Sequence, residues 1–206
     1  MNPQTPDTSD RLATFPTLEA VRGRLDAIGL DDAGRAAAEP ADGAAPREAL
    51  LVAARILERT GRADDAVSVL GQALSRRAAV WWACQAARGE DGGVLAAESA
   101  PLEIAERWVR RPEQGTAYAA YDLAMTAGLG HPAGCAAMCA FLAGESLAPA
   151  HLPPLPPADH LAGMLAAGAV KIAAVRRDPS HADAAKARLL EVGHAIAAGT
   201  DTWEEG

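Results

Sequence analysis

Apolar residues recur three and four positions apart along most of this chain, which is the spacing of amphipathic helices. The first series consists of Leu18, Val21, Leu25 and Ile28, and Gly29 follows it. We predict a short helix over residues 17–29. The acidic stretch 31–46, rich in alanine and containing prolines, then predicts a linker, so this helix either packs on the body of the protein or docks elsewhere.

The body of the chain continues the pattern with six helices and, after a proline-rich interval, two more. Glycine and proline separate them, because glycine tolerates the left-handed backbone of a helix end and proline starts or stops helices. The first three helices end at Thr60, Leu74 and Gly89, and the others cover 95–110, 113–127, 132–144, 159–177 and 180–198. Pro101 predicts an early kink or a second start in the fourth helix. The fold class is therefore predicted to be all-α.

The six helices of the body fall into three pairs, and two of these pairs resemble each other. Residues 54–74 and 121–141 both place a glycine at the turn, Gly61 and Gly128, with an alanine five residues later. Their offset is about two periods of the tetratricopeptide repeat, a stack of helical hairpins. The pattern predicts either such a stack, which is an α-solenoid, or an irregular helical bundle.

Three segments outside these helices differ from the body in composition. Residues 1–16 are polar, contain prolines and are predicted to be disordered. Residues 146–157 are proline-rich and predict a loop with polyproline II character. The tail 200–206 is expected to be flexible, with Trp203 as the one residue able to fold back on the body.

Composition narrows the range of functions. Alanine fills about a quarter of the chain and aromatic residues only 4%, which suits closely packed helices rather than strands. The net charge of −8 argues against general binding to nucleic acids or anionic membranes. The three cysteines suggest no disulfide framework, and the sequence shows neither a signal peptide nor a membrane-spanning stretch. These features predict a cytoplasmic protein.

The most distinctive run is Arg76-Arg77-Ala78-Ala79-Val80-Trp81-Trp82-Ala83-Cys84. Adjacent residues on a helix point about 100° apart, so Trp81 and Trp82 cannot both lie within one narrow apolar stripe. We predict that one is in the core and the other lies at a groove or interface, where Trp and Arg are favoured anchors. The alternatives are burial of both tryptophans and solvated helix ends for the arginines. The protein-binding candidates are Arg76, Arg77, Trp81, Trp82, Trp108 and Arg111.

Residues that could serve catalysis or bind a metal form no complete set. His131, Cys135 and Cys139 share one helix face, but a span of about 12 Å is too wide for one ion. No nucleophile elbow, dinucleotide motif or phosphate loop is present. Five acidic residues are assigned to helix surfaces: Glu98, Glu103, Glu106, Asp122 and Glu145. We therefore predict no enzyme activity, cofactor or metal, and the alternative is an enzyme or sensor with Glu103 or Asp122 in a pocket between helix pairs.

Three motifs are similar to the signature of an uncharacterised family of bacterial helical proteins. They read SRRAAVWWAC at 75–84, PAGC at 132–135 with AFLAGESLAP at 140–149, and LPP at 155–157. The resemblance covers residues 60–199 and supplies no catalytic residue. The chain departs from the signature at Ser75, Ala78 and Cys135, where the family has Pro, Glu and Trp.

The family resemblance also implies a setting, because genes of that family lie near type VI secretion loci. It implies an accessory role such as an effector adaptor or chaperone, with a secretion effector or apparatus component as the partner. With no catalytic set in the sequence, we expect a non-enzymatic protein-protein interaction module. A homo-oligomer is an alternative form of partnership, and neither nucleic acid nor membrane is an expected partner.

Overall fold

The computed structural model describes residues 17–39, 45–89, 95–176 and 178–203. This part of the chain contains ten α-helices and no strand, which confirms the all-α prediction. The helices are α1 (Leu18–Ala27), α2 (Asp32–Ala38), α3 (Pro46–Arg59), α4 (Ala63–Ala73), α5 (Arg76–Arg88), α6 (Ala96–Arg110), α7 (Gln114–Ala127), α8 (Pro132–Ala143), α9 (His160–Arg176) and α10 (Ala182–Ala198). A short 3₁₀ turn, Pro179–His181, precedes α10.

Glycine and proline set several of the helix boundaries, as the sequence predicts. Pro46 and Pro132 occupy the first turn of α3 and α8, where a missing N–H costs no helical hydrogen bond. Gly61 and Gly128 follow α3 and α7 with φ of +76° and +82°, a backbone conformation that favours glycine. Pro101 lies inside α6 without interrupting it, so it is not a second helix start.

The three sequential pairs α3–α4, α5–α6 and α7–α8 each form a contacting hairpin. Helix α8 contacts α5, α6, α7 and α9. The hairpins do not form a simple row, because α9, which follows the third hairpin, also lies against α4 of the first hairpin and α5 of the second. A solenoid repeat would touch only its neighbours in the array. The arrangement is therefore an irregular bundle with α8 at its centre, the second of the two predicted architectures.

Small residues let the central helices approach one another closely. Every residue of α8 except Leu142 is buried. Gly71 of α4 faces Gly163 of α9, and a methyl group added to either glycine would overlap the carbonyl oxygen of the other. The helices gain dispersion contacts through this close approach of their backbones, in a core with few large side chains.

The first helix packs on the body of the bundle, which decides between the two predicted placements. Val21 and Leu25 of α1 are buried in the common core. Arg24 donates from Nη1 to the carbonyl oxygen of Gln72 in α4 at 3.2 Å. The helix is thus joined to α4 by both apolar burial and a hydrogen bond.

The structure corrects the prediction of a linker at residues 31–46, because α2 forms within it. Asp31 caps α2 by accepting from the Gly34 N–H at 2.7 Å. The same carboxylate oxygen accepts from Arg62 Nη2 at 2.5 Å, which ties α2 to the turn before α4. A seven-residue alanine-rich helix is marginal by itself, so its support comes from a residue far away in sequence. Residues 40–44 and the predicted disordered residues 1–16 lie outside the described part of the chain.

The proline-rich interval between α8 and α9 forms a loop whose two ends are joined. The Leu147 N–H donates to the Leu155 carbonyl oxygen at 2.8 Å, and the Leu155 N–H donates to Ser146 Oγ at 3.0 Å. The Tyr118 hydroxyl donates to the Ala148 carbonyl oxygen at 2.5 Å, so the loop is held against α7. Among the described helices, none combines the length and apolar composition that crossing a bilayer requires.

Candidate protein-binding surface

Three side chains of α5 lie one helical turn apart on one face: Arg77, Trp81 and Gln85. We call these three residues the Trp81 face. The helix begins after Ser75, whose Oγ accepts from the Ala78 N–H at 3.2 Å and satisfies one free donor of the first turn. This cap fixes where α5 starts.

Trp82 points away from that face into the core. Its side chain is completely enclosed, and its indole N–H donates to the Leu189 carbonyl oxygen of α10 at 2.8 Å. Gly193 of α10 makes room for the ring, since a methyl group there would lie 2.8 Å from it. Trp108 of α6 is also enclosed, with 2% exposed. Neither of these two candidates can touch a partner in this structure, so we exclude both from the surface.

Trp81 is half-buried, and the chain beyond α10 folds back to contact it. Its indole N–H donates to Asp201 Oδ1 at 3.1 Å, and Gln85 Nε2 donates to the same oxygen at 3.5 Å. The Trp203 ring lies edge-on to the Trp81 ring, with centroids 6.5 Å apart and planes at 71°. Residues 200–203 therefore cover the Trp81 face, with Trp203 folded back on the body, which is the alternative to a free tail that the sequence left open.

The end of α10 reverses the chain ahead of this contact. Gly199 has φ of +73°, and its N–H donates to the Ile196 carbonyl oxygen at 3.1 Å. The Thr200 N–H donates to the Ala195 carbonyl oxygen at 3.0 Å. These two bonds form a Schellman cap, which ends a helix through a left-handed glycine. Gly199 signals the turn in the sequence, but it does not give the direction in which the chain leaves.

Arg77 joins the Trp81 face to the end of α6. Its Nε donates to the Val109 carbonyl oxygen at 2.5 Å and its Nη2 donates to the Arg110 carbonyl oxygen at 2.9 Å. Carbonyl groups in the last turn of a helix lack helical hydrogen-bond donors and carry partial negative charge. The Arg77 guanidinium supplies both the missing donors and a positive charge. The same guanidinium lies 4.6 Å from the Trp203 ring centroid, within the range of a cation–π contact.

Arg76 also binds carbonyl groups outside its own helix. It donates to the Gly144 carbonyl oxygen at 3.4 Å and to the Pro157 carbonyl oxygen at 3.3 Å, and it pairs with Asp159 at 2.6 Å. The prediction that Arg76 and Arg77 form a solvated helix end is therefore wrong, since both hold other segments of the bundle. Arg76 fixes the end of the proline-rich loop and does not contribute to the Trp81 face.

Three exposed arginines lie in the last turn of α6 and just after it: Arg107, Arg110 and Arg111. We call these residues the arginine end. The Arg111 side chain is 82% exposed, and its Nε pairs with Glu113 at 2.8 Å. Because Arg77 bonds to the same turn, the arginine end adjoins the slot that holds Trp203.

The six predicted contact residues thus separate into two groups: Arg77, Trp81 and Arg111 at one surface, and Arg76, Trp82 and Trp108 within the bundle. Gln85 and Asp201 belong to the surface and were not predicted. Gln85 could have been found, because it follows Trp81 by one helical turn. No local pattern connects Asp201 with Trp81, which lies 120 positions earlier.

Two acidic residues assigned to helix surfaces are buried, which corrects that prediction. Glu98 of α6 accepts two hydrogen bonds from Arg176 of α9, at 2.5 and 2.6 Å. Glu106 accepts from an arginine of α5 at 2.6 Å. Each carboxylate joins its helix to another one, so both act structurally. Glu103 and Asp122, suggested for a pocket between helix pairs, are exposed instead.

The residues considered for metal binding have separate partners. His131 Nδ1 lies 3.3 Å from the Glu98 carboxylate. Cys135 Sγ donates to a carbonyl oxygen at 3.2 Å, and Cys139 Sγ to another at 3.1 Å. Burial raises the pKa of the Cys135 thiol to about 11 and also raises the pKa of Cys139, so both stay protonated near neutral pH. Within the described residues, no group of three or more His, Cys, Asp or Glu side chains is arranged to hold a metal ion.

Fold and surface together define an all-α bundle with an aromatic and arginine-lined face. A protein-family model described as "Family of unknown function (DUF6931)" matches residues 52–197, and the chain therefore belongs to that family. The matched range includes the Trp81 face and the arginine end but neither α1 nor residues 200–203. No curated protein and no solved structure matches the chain.

Proposed function

We propose that this protein is a non-enzymatic protein-binding module that holds its partner at the Trp81 face. The observation that carries the proposal is that a tryptophan and a carboxylate from beyond the last helix already occupy this face. A tryptophan beside an arginine is the composition of an interface hot spot. Asp201 and Trp203 cover this face, and the partner takes their place when it binds.

The tail is the part of this arrangement that is easiest to displace. It follows the last helix and contacts the face through the side chains of Asp201 and Trp203. Releasing a segment held by a few side-chain contacts costs much less free energy than unfolding a helix of the core. The face can therefore become accessible while the bundle stays folded.

The proposed cellular role is that of a cytoplasmic adaptor or chaperone. The family resemblance suggests a secretion effector or an apparatus component as the partner. The overall charge of −8 disfavours nucleic acid, whereas the arginine end offers a local basic rim for an acidic part of a protein.

Affinity capture from a lysate of the source organism tests the proposal, using four full-length chains: wild type, Trp81→Ala, Trp203→Ala and Met125→Ala. Met125 is a large exposed side chain on α7 and supplies the matched control. A stoichiometric partner that is lost with Trp81→Ala, retained with Met125→Ala and enriched with Trp203→Ala would support the proposal. Circular dichroism establishes that each variant is folded.

Two results would contradict it. One is a partner that all four chains capture equally, and the other is a Trp203→Ala chain that captures nothing. In the second case a metabolite library, read as a rise in Tm, tests the alternative of a small-molecule sensor, because a ligand of the native state raises its apparent stability.

A further inference from the structure

The tail shows that the Trp81 face binds a carboxylate. One carboxylate oxygen of Asp201 receives two donors, the indole N–H of Trp81 at 3.1 Å and Gln85 Nε2 at 3.5 Å. These donors lie one turn apart on α5, so a single acceptor bridges them. A carboxylate suits this position best, since hydrogen bonds to an ionised acceptor are stronger than those to a neutral one.

Two residues further on, an aromatic ring fills a slot between Trp81 and Arg77. Trp203 meets the Trp81 ring edge-on, and the Arg77 guanidinium lies 4.6 Å from its centroid. Arg77 is held by two carbonyl groups of α6, so the slot does not depend on the tail for its shape. A cation–π contact favours an indole over a phenyl ring.

The arginine end extends this selection for acidic chemistry. The last turn of α6, which carries these exposed arginines, adjoins the slot, because Arg77 donates to the Arg110 carbonyl oxygen. Arg110 pairs with Glu106 at 3.5 Å and Arg111 pairs with Glu113 at 2.8 Å, so these two carboxylates offset only part of the positive charge of the three arginines. The remaining positive charge attracts acidic residues that flank the aromatic ring and repels basic ones. The charge therefore distinguishes an acidic segment from a basic one with the same aromatic residue.

We propose that the docking segment of the partner carries a carboxylate two residues before an aromatic ring, the arrangement of Asp201 and Trp203, within an acidic stretch. This inference rests on the proposed function and specifies the chemistry of the partner. The tail is then an intramolecular competitor that occupies the face until a matching segment replaces it. The tether gives the tail a high effective concentration at the face. To displace it, the partner's segment has to bind more tightly than an untethered copy of the tail would.

A peptide titration tests the inference. The probe is an N-acetylated peptide with the sequence of residues 199–206. The protein titrated is the full-length chain with Asp201→Ala and Trp203→Ala, in which the tail lacks the two side chains that contact the Trp81 face. The readout is the ¹H–¹⁵N signal of the Trp81 indole, with the indole of the buried Trp82 as internal control. Circular dichroism and Tm verify that this double variant is folded.

We expect saturable movement of the Trp81 signal while the Trp82 signal stays nearly fixed. The wild-type chain, whose own tail occupies the face, should need about 10-fold more peptide or higher. Peptides with Asp201→Asn or Trp203→Ala should bind at least about 3-fold more weakly. A Trp81 signal that does not move, or a sequence-scrambled peptide that binds equally well, would overturn the inference.

The inference and the proposed function fail in different ways. A partner captured through Trp81 that the tail peptide does not displace overturns the inference and leaves the proposed function standing. A partner captured independently of Trp81 overturns the proposed function. Dimerisation of the wild-type chain that Trp203→Ala abolishes would assign the docking segment to a second copy of this chain, which also overturns the inference.

Discussion

The Arg176 guanidinium holds the buried Glu98 carboxylate with two hydrogen bonds of 2.5 and 2.6 Å, which ties the end of α9 to the start of α6. Glu98 lies in the first turn of α6, where the helix dipole also favours a negative charge. Only 5% of the Glu98 side chain is exposed, compared with 31% for Arg176. The carboxylate therefore depends on this partner more than the arginine does.

Replacing Arg176 by alanine leaves that buried carboxylate without its main partner. We expect Arg176→Ala to lower the free energy of unfolding by about 2–4 kcal/mol, because an uncompensated buried charge is costly. Arg111→Ala removes an exposed arginine and should change it by less than about 0.5 kcal/mol. Urea unfolding of both variants measures the difference. Equal losses from the two substitutions would contradict the structural role of the buried pair.

Two helical glycines should respond to alanine in opposite directions. Gly71 meets the backbone of Gly163, so Gly71→Ala should destabilise the protein by about 1–3 kcal/mol through overpacking. Gly168 has open space where a methyl group would go, so Gly168→Ala should stabilise by about 0.5–1 kcal/mol through helix propensity. Thermal and urea unfolding report both changes. A neutral Gly71→Ala variant would show that α4 and α9 do not approach as described.

Alanine substitutions of the two adjacent tryptophans should differ in their effect on the free energy of unfolding. Trp82→Ala empties a fully enclosed site and should cost about 3–5 kcal/mol, whereas Trp81→Ala, at the surface, should cost about 1–2 kcal/mol. Both values come from urea unfolding. Similar large losses from the two variants would place Trp81 in the core and argue against its role as a docking residue.

The Cys135 thiol predicts a dependence of stability on alkaline pH. Burial raises its pKa from 9.0 to about 11, so the folded chain resists ionisation that the unfolded chain permits. The resulting stabilisation is present below pH 9 and is lost as the pH rises to about 11. The stability difference between wild type and Cys135→Ala should therefore shrink between pH 8 and pH 11 in urea unfolding. A difference that stays constant over this range would contradict the raised pKa.

The body helices were predictable because glycine and proline mark their ends and apolar residues recur at helical spacing. Gly61, Gly128 and Pro132 lie where the pattern places them. The helix α2 was missed since its support comes from Arg62, outside the local pattern. The sequence also could not decide between a solenoid and a bundle, because that depends on where α9 packs.

Half of the candidate surface was accessible to sequence reasoning. Helical geometry separates Trp81 from Trp82, but it does not decide which ring faces the core. The burial of Trp82 depends on the packing of α10, where Gly193 leaves room for its ring. The cover formed by Asp201 and Trp203 depends on the direction of the chain after α10, which no local residue pattern specifies.

The tail and the partner are expected to compete for the Trp81 face. Calorimetric titration of the captured partner into full-length wild type and full-length Trp203→Ala tests it most directly. We predict that the partner binds Trp203→Ala about 10-fold more tightly or better, because no tail has to be displaced. Weaker binding to Trp203→Ala would contradict the account, since Trp203 would then be part of the binding surface rather than its cover.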